Sequence, residues 1–132
     1  PIATNSCMRG LCDFLAGTAD SIVRKFARAG EDIDAVFDIR AIFQQSHHAL
    51  PIEAMPSLLL PRKGRYGLLD YEKVFCANQS PDHDIFAMRS VDREHGCIVI
   101  VRPDQHVAQV LPLNGFSELS AFFDRFMIVA SA

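Results

Sequence analysis

The strongest constraint on the fold is the segment from Cys97 to Arg102, in which a short apolar, mostly β-branched run extends to Val101. It is far shorter than the roughly 20 apolar residues that a membrane-spanning helix needs. Its β-branched composition predicts a strand. Because successive side chains of a strand point to opposite faces and both faces here are apolar, we expect this strand to be covered on both sides in the middle of a sheet.

A second strand is predicted immediately afterwards. Pro103 and Asp104 are residues typical of a turn, and the segment from His106 to Leu111 returns to an apolar, β-branched pattern. The short connection predicts an antiparallel hairpin over about residues 97–111.

Two helices are predicted at the ends of the chain. Over residues 7–29 apolar residues recur at steps of four and three, which predicts one amphipathic helix with Ser6 as its N-cap and Gly30 after its end. Over about residues 115–128 a broad apolar face rich in phenylalanine predicts the last helix, capped by Asn114. The stripe of the first helix consists of Cys7, Leu11, Leu15, Ala19, Ile22 and Phe26.

The middle of the chain predicts one strand and a long loop. Residues 36–44 alternate between apolar and polar positions, which is typical of a strand with one buried face. Residues 46–67 contain Pro51, Pro56, Pro61 and Gly64, so we interpret most of them as a long ordered loop.

This order of elements favours an α/β fold in one domain over residues 1–132. It matches the later part of a thioredoxin-like sandwich, in which a central mixed sheet is flanked by helices. That fold opens with a strand before its first helix, and residues 1–6 are too few and too polar to supply it. We therefore expect the first strand to be missing or to come from a preceding piece of chain.

Composition excludes several classes of function. Hydrophobic residues make up 49% and charged residues 22% of the 132 residues, as in ordinary globular proteins, and the net charge is -3. The densest basic cluster, Arg62–Arg65, holds three cations, too few to indicate a nucleic-acid partner. No apolar segment predicts a membrane partner.

The four cysteines predict reduced thiols in a cytoplasmic protein. They are Cys7, Cys12, Cys76 and Cys97, and no two form a Cys-x-x-Cys pair. A nucleophilic thiol would need a nearby base or cation. Lys73 precedes Cys76 by three residues and Arg9 follows Cys7 by two, but sequence spacing does not establish proximity, and catalysis is not expected from either.

Two long sequence strings resemble a known family. They are LPRKGRYGLLDYEKVFCA at residues 60–77 and VDREHGCIVIVRPDQHVAQVLPL at residues 91–113, followed by LSAFFDRFM at residues 119–127. Together they resemble the C-terminal thioredoxin-like dimerisation domain of the phenol 2-monooxygenase and 3-hydroxybenzoate 4-monooxygenase family of FAD-dependent aromatic hydroxylases. The resemblance covers about residues 35–127.

This resemblance implies a structural role. Members of the family bind FAD, use NAD(P)H and molecular oxygen, and add a hydroxyl group beside a phenolic one, with cofactor and substrate residues in upstream domains. No catalytic, cofactor-binding or metal-binding residue can be carried onto this chain, which also lacks a Gly-x-Gly-x-x-Gly phosphate loop. The implied partners are the upstream domains and a second copy in a homodimer.

Three polar clusters were weighed as sites. His47 and His48 lie on what we expect to be an extended segment, where adjacent side chains point opposite ways and no third metal ligand follows at a suitable spacing. Residues 82–84 and 92–95 contain aspartate and histidine, and we interpret both as solvated turns. The sequence therefore predicts no metal site.

Two segments are the best candidates for contact with another domain or subunit. Arg62, Lys63, Arg65 and Tyr66 lie on the proline- and glycine-rich loop, and long ordered loops commonly carry a function. Solvent and an anion remain alternatives there.

Arg102, Asp104 and His106 lie at the hairpin turn. There Asp104 could instead cap the turn while Arg102 pairs with an acid. The alternatives for the whole chain are a stand-alone thioredoxin-like redox module and a module that binds a small ligand or a protein.

Overall fold

The computed structural model describes residues 2–129, with side chains described from Cys7 onward. It contains both helices and strands, which confirms the α/β class. The helices are α1 (Ile2–Gly17), α2 (Ile22–Phe26), α3 (Ile85–Met88) and α4 (Phe116–Asp124). The strands are β1 (Ala41–Phe43), β2 (Arg62–Lys63), β3 (Leu68–Leu69), β4 (Val74–Cys76), β5 (Cys97–Val101) and β6 (Val107–Pro112).

Among the described residues the strands pair in three two-stranded sheets rather than in one continuous sheet. β1 and β4 are parallel, whereas β2–β3 and β5–β6 are antiparallel. The β5–β6 hairpin forms as the turn residues predict, with a register shift between Ile100 and Val101. The first described element is α1, and the strand expected to precede it stays a prediction.

One hydrophobic core joins the helices to the inner sides of two sheets. Leu59 and Val23 are each 1% exposed at its centre. α1, α2 and α4 contribute to it from one side, and β1, β5 and β6 from the other. Buried residues of these elements include Leu11, Leu15, Ile22, Phe26, Ala41, Phe43, Ile100, Leu111 and Leu119.

The single helix predicted over residues 7–29 is wrong, because the chain breaks between α1 and α2. The apolar stripe nevertheless continues across the break, since Leu15 and Ile22 enter the same core. Ser21 is fully buried, and its hydroxyl donates to the carbonyl of Leu15 at 2.7 Å. The same oxygen accepts a hydrogen bond from the backbone of Arg24 at 3.3 Å, so Ser21 is the N-cap of α2. Ser6, the predicted cap, lies inside α1.

The strand predicted over residues 36–44 is shorter than expected. Only Ala41–Phe43 pairs, because β4 offers just three residues. The predicted alternation is present throughout, since Phe37 and Ile39 are half-buried while Asp38 and Arg40 are exposed.

The loop predicted over residues 46–67 contains regular structure. Two 3-10 turns occupy His47–Ala49 and Ile52–Ala54, and β2 begins a hairpin at its end. Leu58 and Leu59 anchor the segment in the core.

The last helix runs over Phe116–Asp124, within the predicted range. Its N-cap is Gly115, which provides no side-chain hydrogen bond, so the prediction of Asn114 as the cap is wrong. Most of its aromatic face packs internally: Phe116 stacks on Phe14 with ring centroids 4.9 Å apart, and Phe123 meets Phe37 edge-on at 4.8 Å.

Candidate interaction surface

The hairpin of β2 and β3 forms a short arm over residues 62–69, here called the contact arm. Gly64 and Gly67 take positive φ angles of 66° and 60°, which glycine adopts at little cost. They turn the chain so that Arg65 and Tyr66 lie at the tip. Tyr66 is 79% exposed, with the Arg65 guanidinium 5.6 Å from its ring centroid. An exposed aromatic ring beside an arginine is a composition enriched at protein interfaces.

The other two predicted contact residues of the arm bind within the chain. Arg62 Nη1 donates to the carbonyl of Gly67 at 2.9 Å and closes the arm. Lys63 Nζ lies 2.6 Å from Asp34 Oδ2 and 3.0 Å from Asp70 Oδ2. These two side chains therefore position the arm, and its outward-facing chemistry belongs to the tip.

A buried lysine continues this network. Lys73 is 5% exposed, and its Nζ lies 2.8 Å from Asp34 Oδ2 and 2.5 Å from Asp38 Oδ1. A buried ammonium group is tolerated only when it is paired and hydrogen-bonded. We call Lys63, Lys73, Asp34, Asp38 and Asp70 the lysine–aspartate cluster. It ties the arm to β4 and to the segment before β1.

Opposite charges set the protonation of this cluster. Burial favours a higher pKa for Asp34, but hydrogen bonds from Lys63 and Lys73 outweigh it and hold the pKa below its usual value. The Lys73 hydrogen bond likewise lowers the pKa of Asp38. Burial acts to lower the pKa of Lys73, yet Asp34 and Asp38 together raise it. All three groups are charged at neutral pH.

The turn between β5 and β6 carries the second set of predicted contact residues. Arg102 Nη2 lies 2.7 Å from Asp104 Oδ2, and Asp104 Oδ1 accepts from the backbone of His106 at 3.3 Å. Gln105 adopts a positive φ of 69°. The turn is thus internally closed, in the way weighed as the alternative, while its charged side chains stay exposed.

The histidine pair differs from expectation. His47 and His48 lie on a 3-10 turn capped by Ser46 rather than on an extended segment. Their rings therefore lie on the same side, with centroids 3.8 Å apart, so the prediction that they point opposite ways is wrong. Over residues 2–129, no three histidine, cysteine, aspartate or glutamate side chains group closely enough to hold a metal ion.

The remaining acidic turns have local structural roles. Asp84 accepts from the backbone of Phe86 at 3.0 Å as the N-cap of α3, and it also pairs with Arg93. Asp92 Oδ2 lies 2.9 Å from His95 Nδ1, and this hydrogen bond raises the pKa of His95.

The four cysteines are free thiols. Burial raises the pKa of Cys12 to about 11 and also raises that of Cys97, so both are poor thiolate formers. The cations that lie close to the other two thiols in sequence bind elsewhere. Lys73 pairs with carboxylates, and Arg9 Nη2 donates to the carbonyl of Ala54 at 3.1 Å.

Sequence reasoning missed the lysine–aspartate cluster. Asp34 and Asp38 were assigned to a turn and to an exposed strand face, and Lys73 only to the neighbourhood of a cysteine. The available signal was their four-residue spacing before a strand, which places two carboxylates at one end of β1. The partner element cannot be identified from that spacing alone.

Helix α4 begins at a glycine N-cap, Gly115. A dinucleotide phosphate site needs a glycine loop whose backbone can approach the phosphates at a helix N-terminus. At the start of α4, a Cβ on Gly115 would already lie 3.0 Å from the carbonyl oxygen of Pro112, so this glycine serves internal packing.

None of the helices described combines the length and the apolar character needed to cross a membrane.

Comparison with known proteins gives a consistent result. The sequence profile of the family described as phenol hydroxylase, C-terminal dimerisation domain, matches residues 2–131. The chain is 50% identical over 123 residues to 3-hydroxybenzoate 4-monooxygenase of Comamonas testosteroni, which is 92% of this chain and 19% of that protein. It is 27% identical over 108 residues to FAD-dependent monooxygenase terD of Aspergillus terreus, 80% of this chain and 18% of that protein.

Proposed function

The chain belongs to the family of phenol hydroxylase C-terminal dimerisation domains, and from this we propose that it is the non-catalytic, self-associating part of a flavin-dependent aromatic monooxygenase. The observation that carries the proposal is the 50% identity over nearly the whole chain to one fifth of a 3-hydroxybenzoate 4-monooxygenase. Most of that relative's length therefore lies outside this region, and we assign the chemistry there.

The proposed parent enzyme binds FAD, takes electrons from NAD(P)H and hydroxylates a phenolic substrate with molecular oxygen. Within the parent, this chain packs on the catalytic body and joins two subunits into a homodimer. We place the enzyme in the cytoplasm, in accord with four free thiols.

The contact arm and the β5–β6 turn are the proposed contact sites toward the parent chain and its partner. At the arm tip, Arg65 and Tyr66 supply the contacts, while Arg62 and Lys63 fix the arm's position. At the turn, Arg102, Asp104 and His106 provide charged groups of both signs, which favour orientation and specificity over affinity.

Sedimentation of the full-length parent enzyme tests this function. We expect FAD to co-purify and the enzyme to sediment as a dimer over a wide concentration range. A parent that stays monomeric at every concentration, or that carries no flavin, would contradict the proposal.

The arm is tested in the same enzyme with the double variant Arg65→Ala and Tyr66→Ala. We expect it to weaken the dimer or the docking on the catalytic body, because truncating an exposed aromatic anchor typically costs about 1 kcal/mol or more at an interface. Tyr71→Ala is the matched control, since Tyr71 is also exposed, at 56%, but lies outside the arm.

A further inference from the structure

The β5–β6 hairpin has two apolar faces but only one internal cover. Ile98, Ile100 and Leu111 point into the core. On the opposite face lie two cross-strand pairs, Val99 with Val110 and Val101 with Val107. These four side chains, here called the valine face, are 47%, 58%, 51% and 59% exposed in that order.

This exposure departs from the usual pattern of an antiparallel sheet. Where one face meets water, its positions are normally polar, so an apolar run on both faces indicates two covers. A two-stranded hairpin is also marginal in water by itself. The prediction that β5 is covered on both faces is therefore wrong for the described residues alone, and the pattern calls for a second cover from outside them.

The helices, as far as their side chains are described, do not provide that cover. α1, α2 and α4 all contribute to the core on the other side of the hairpin. The connection from β4 to β5 contains only the four-residue α3. The segment after α3 approaches one end of the valine face, where residues 89–92 line an open cleft of about 320 Å³ with Val110.

We propose that the valine face is the surface through which two copies of this chain associate. The inference rests on the dimerisation proposed above and specifies where it takes place. The four valines carry no charge, so the surface can meet its own copy across a two-fold axis without repulsion. Their β-branched side chains are stiff and lose little rotamer freedom when covered.

The rim of this face suits the same partner. The turn carries Arg102 beside Asp104, and a two-fold axis brings such a pair of opposite charges against its own copy with complementary sign. Four half-exposed valines supply less than the about 800 Å² per partner of a standard interface, so neighbouring residues must add to it. Ile42 and Phe75 form a further exposed apolar pair, across β1–β4, and are 46% and 42% exposed.

The test uses the full-length parent enzyme with Val101→Lys and Val110→Lys, one change on each strand. Sedimentation equilibrium measures the dimer Kd. We expect it to rise by at least about tenfold, because each lysine places an unpaired charge in an apolar contact. The matched control is Ile128→Lys, which makes the same kind of change at a side chain that is 90% exposed and outside the valine face.

The outcomes separate the two proposals. A wild-type parent that is monomeric removes the proposed function and the inference together. A folded lysine variant that keeps the wild-type Kd overturns the inference alone. So does a variant that stays dimeric but loses docking on its own catalytic body, since the valine face then packs upstream within one subunit.

A second variant protects the test against misfolding. Val101→Thr with Val110→Thr keeps the shape and strand preference of the side chains while adding hydroxyl groups. It is expected to raise the dimer Kd in the same direction by a smaller factor. If the lysine variant unfolds, an unchanged Kd in the threonine variant overturns the inference.

Discussion

The ammonium group of Lys73 lies where a charge is costly unless it is paired. It meets Asp34 at 2.8 Å and Asp38 at 2.5 Å. When one member of a buried ion pair is removed, the remaining charge has less compensation. The resulting loss of stability is far larger than the stability that the intact pair contributes. The lysine–aspartate cluster therefore holds the contact arm in place, and the stability of this arrangement depends on each of the paired charges.

Lys73→Met should lower the free energy of unfolding by about 2 kcal/mol, because Asp34 loses a buried hydrogen bond and keeps only Lys63 as its cation. Urea unfolding of the variant and the wild type measures the difference. Lys25→Met is the control: its ion pair with Asp124 at 2.6 Å is partly exposed and should contribute no more than about 1 kcal/mol. Equal losses in the two variants would show that the burial of Lys73 has no energetic weight.

Acid should weaken the fold through the same carboxylates. The pKa values of Asp34 and Asp38 are lowered in the folded state, so their contribution is present above the unfolded pKa of about 3.9 and is lost as the pH falls through the folded values. The raised pKa of Lys73 acts oppositely, and its contribution is complete below about pH 10.4. Unfolding free energies at pH 7, 5 and 3 should show a plateau and then a decline, which Asp34→Asn makes shallower.

At the scale of elements, the hydroxyl of Ser21 hydrogen-bonds both sides of the break between α1 and α2. Ser21 donates to the carbonyl of Leu15, which α1 leaves unpaired at its end, and caps the first turn of α2. Ser21→Ala should cost about 1–2 kcal/mol, since it removes a cap and strands a buried carbonyl. Thermal or urea unfolding measures this loss.

Ser46→Ala provides the comparison for that prediction. Ser46 caps the turn at His47–Ala49 with a longer hydrogen bond of 3.4 Å to the backbone of His48, at an exposed position. Its loss should cost no more than about 0.5 kcal/mol. A Ser21 variant as stable as this control would show that the helix break is held by packing alone.

The periodicity of apolar residues predicted the presence and the buried face of each element better than the residues at which it begins and ends. The alternation from Phe37 to Phe43 gave the correct inner face, because burial follows side-chain direction whether or not the strand pairs. The stripe from Leu11 to Phe26 placed Leu11, Leu15, Ile22 and Phe26 correctly in the core, but Ala19 is exposed in the break between the two helices. The pattern hid this break because Leu15 and Ile22 are seven positions apart and both return to one face. The periodicity of apolar residues does not show which backbone carbonyl will accept a hydrogen bond from a side chain further along the sequence.

The contact surface was predicted in part. The sequence predicts Arg65 and Tyr66 as contact residues on a loop, and the hairpin of the arm is not recognisable from the sequence because its strands are only two residues each. The apolar pattern of β5 predicts a cover on both faces, and within the described residues only the face of Ile98 and Ile100 is covered. Sequence alone does not state whether the second cover belongs to the same chain.

Considered as a whole, the molecule shares one core between sheets that are not joined by hydrogen bonds. In the described residues β1 pairs only with β4, and β5 only with β6, so each strand has one open edge facing toward a possible neighbour. The predicted first strand would fit such an edge. An upstream strand would pair with an open strand edge through backbone hydrogen bonds. A second copy would cover the valine face through side-chain contacts, so the two do not compete for the same surface.

Association through the valine face links stability to concentration. Anything that binds only the folded chain stabilises it in proportion to the logarithm of its concentration. Each tenfold rise in protein concentration above the dimer Kd should therefore add about 1.4 kcal/mol to the free energy of unfolding per mole of dimer. We expect the unfolding transition of the parent enzyme to rise with protein concentration in scanning calorimetry. With Val101→Lys and Val110→Lys it should lose this dependence, while Ile128→Lys should retain it. A wild-type transition that stays fixed over a hundredfold range would mean that subunit contact contributes nothing to the fold, since dissociation would then precede unfolding at every concentration.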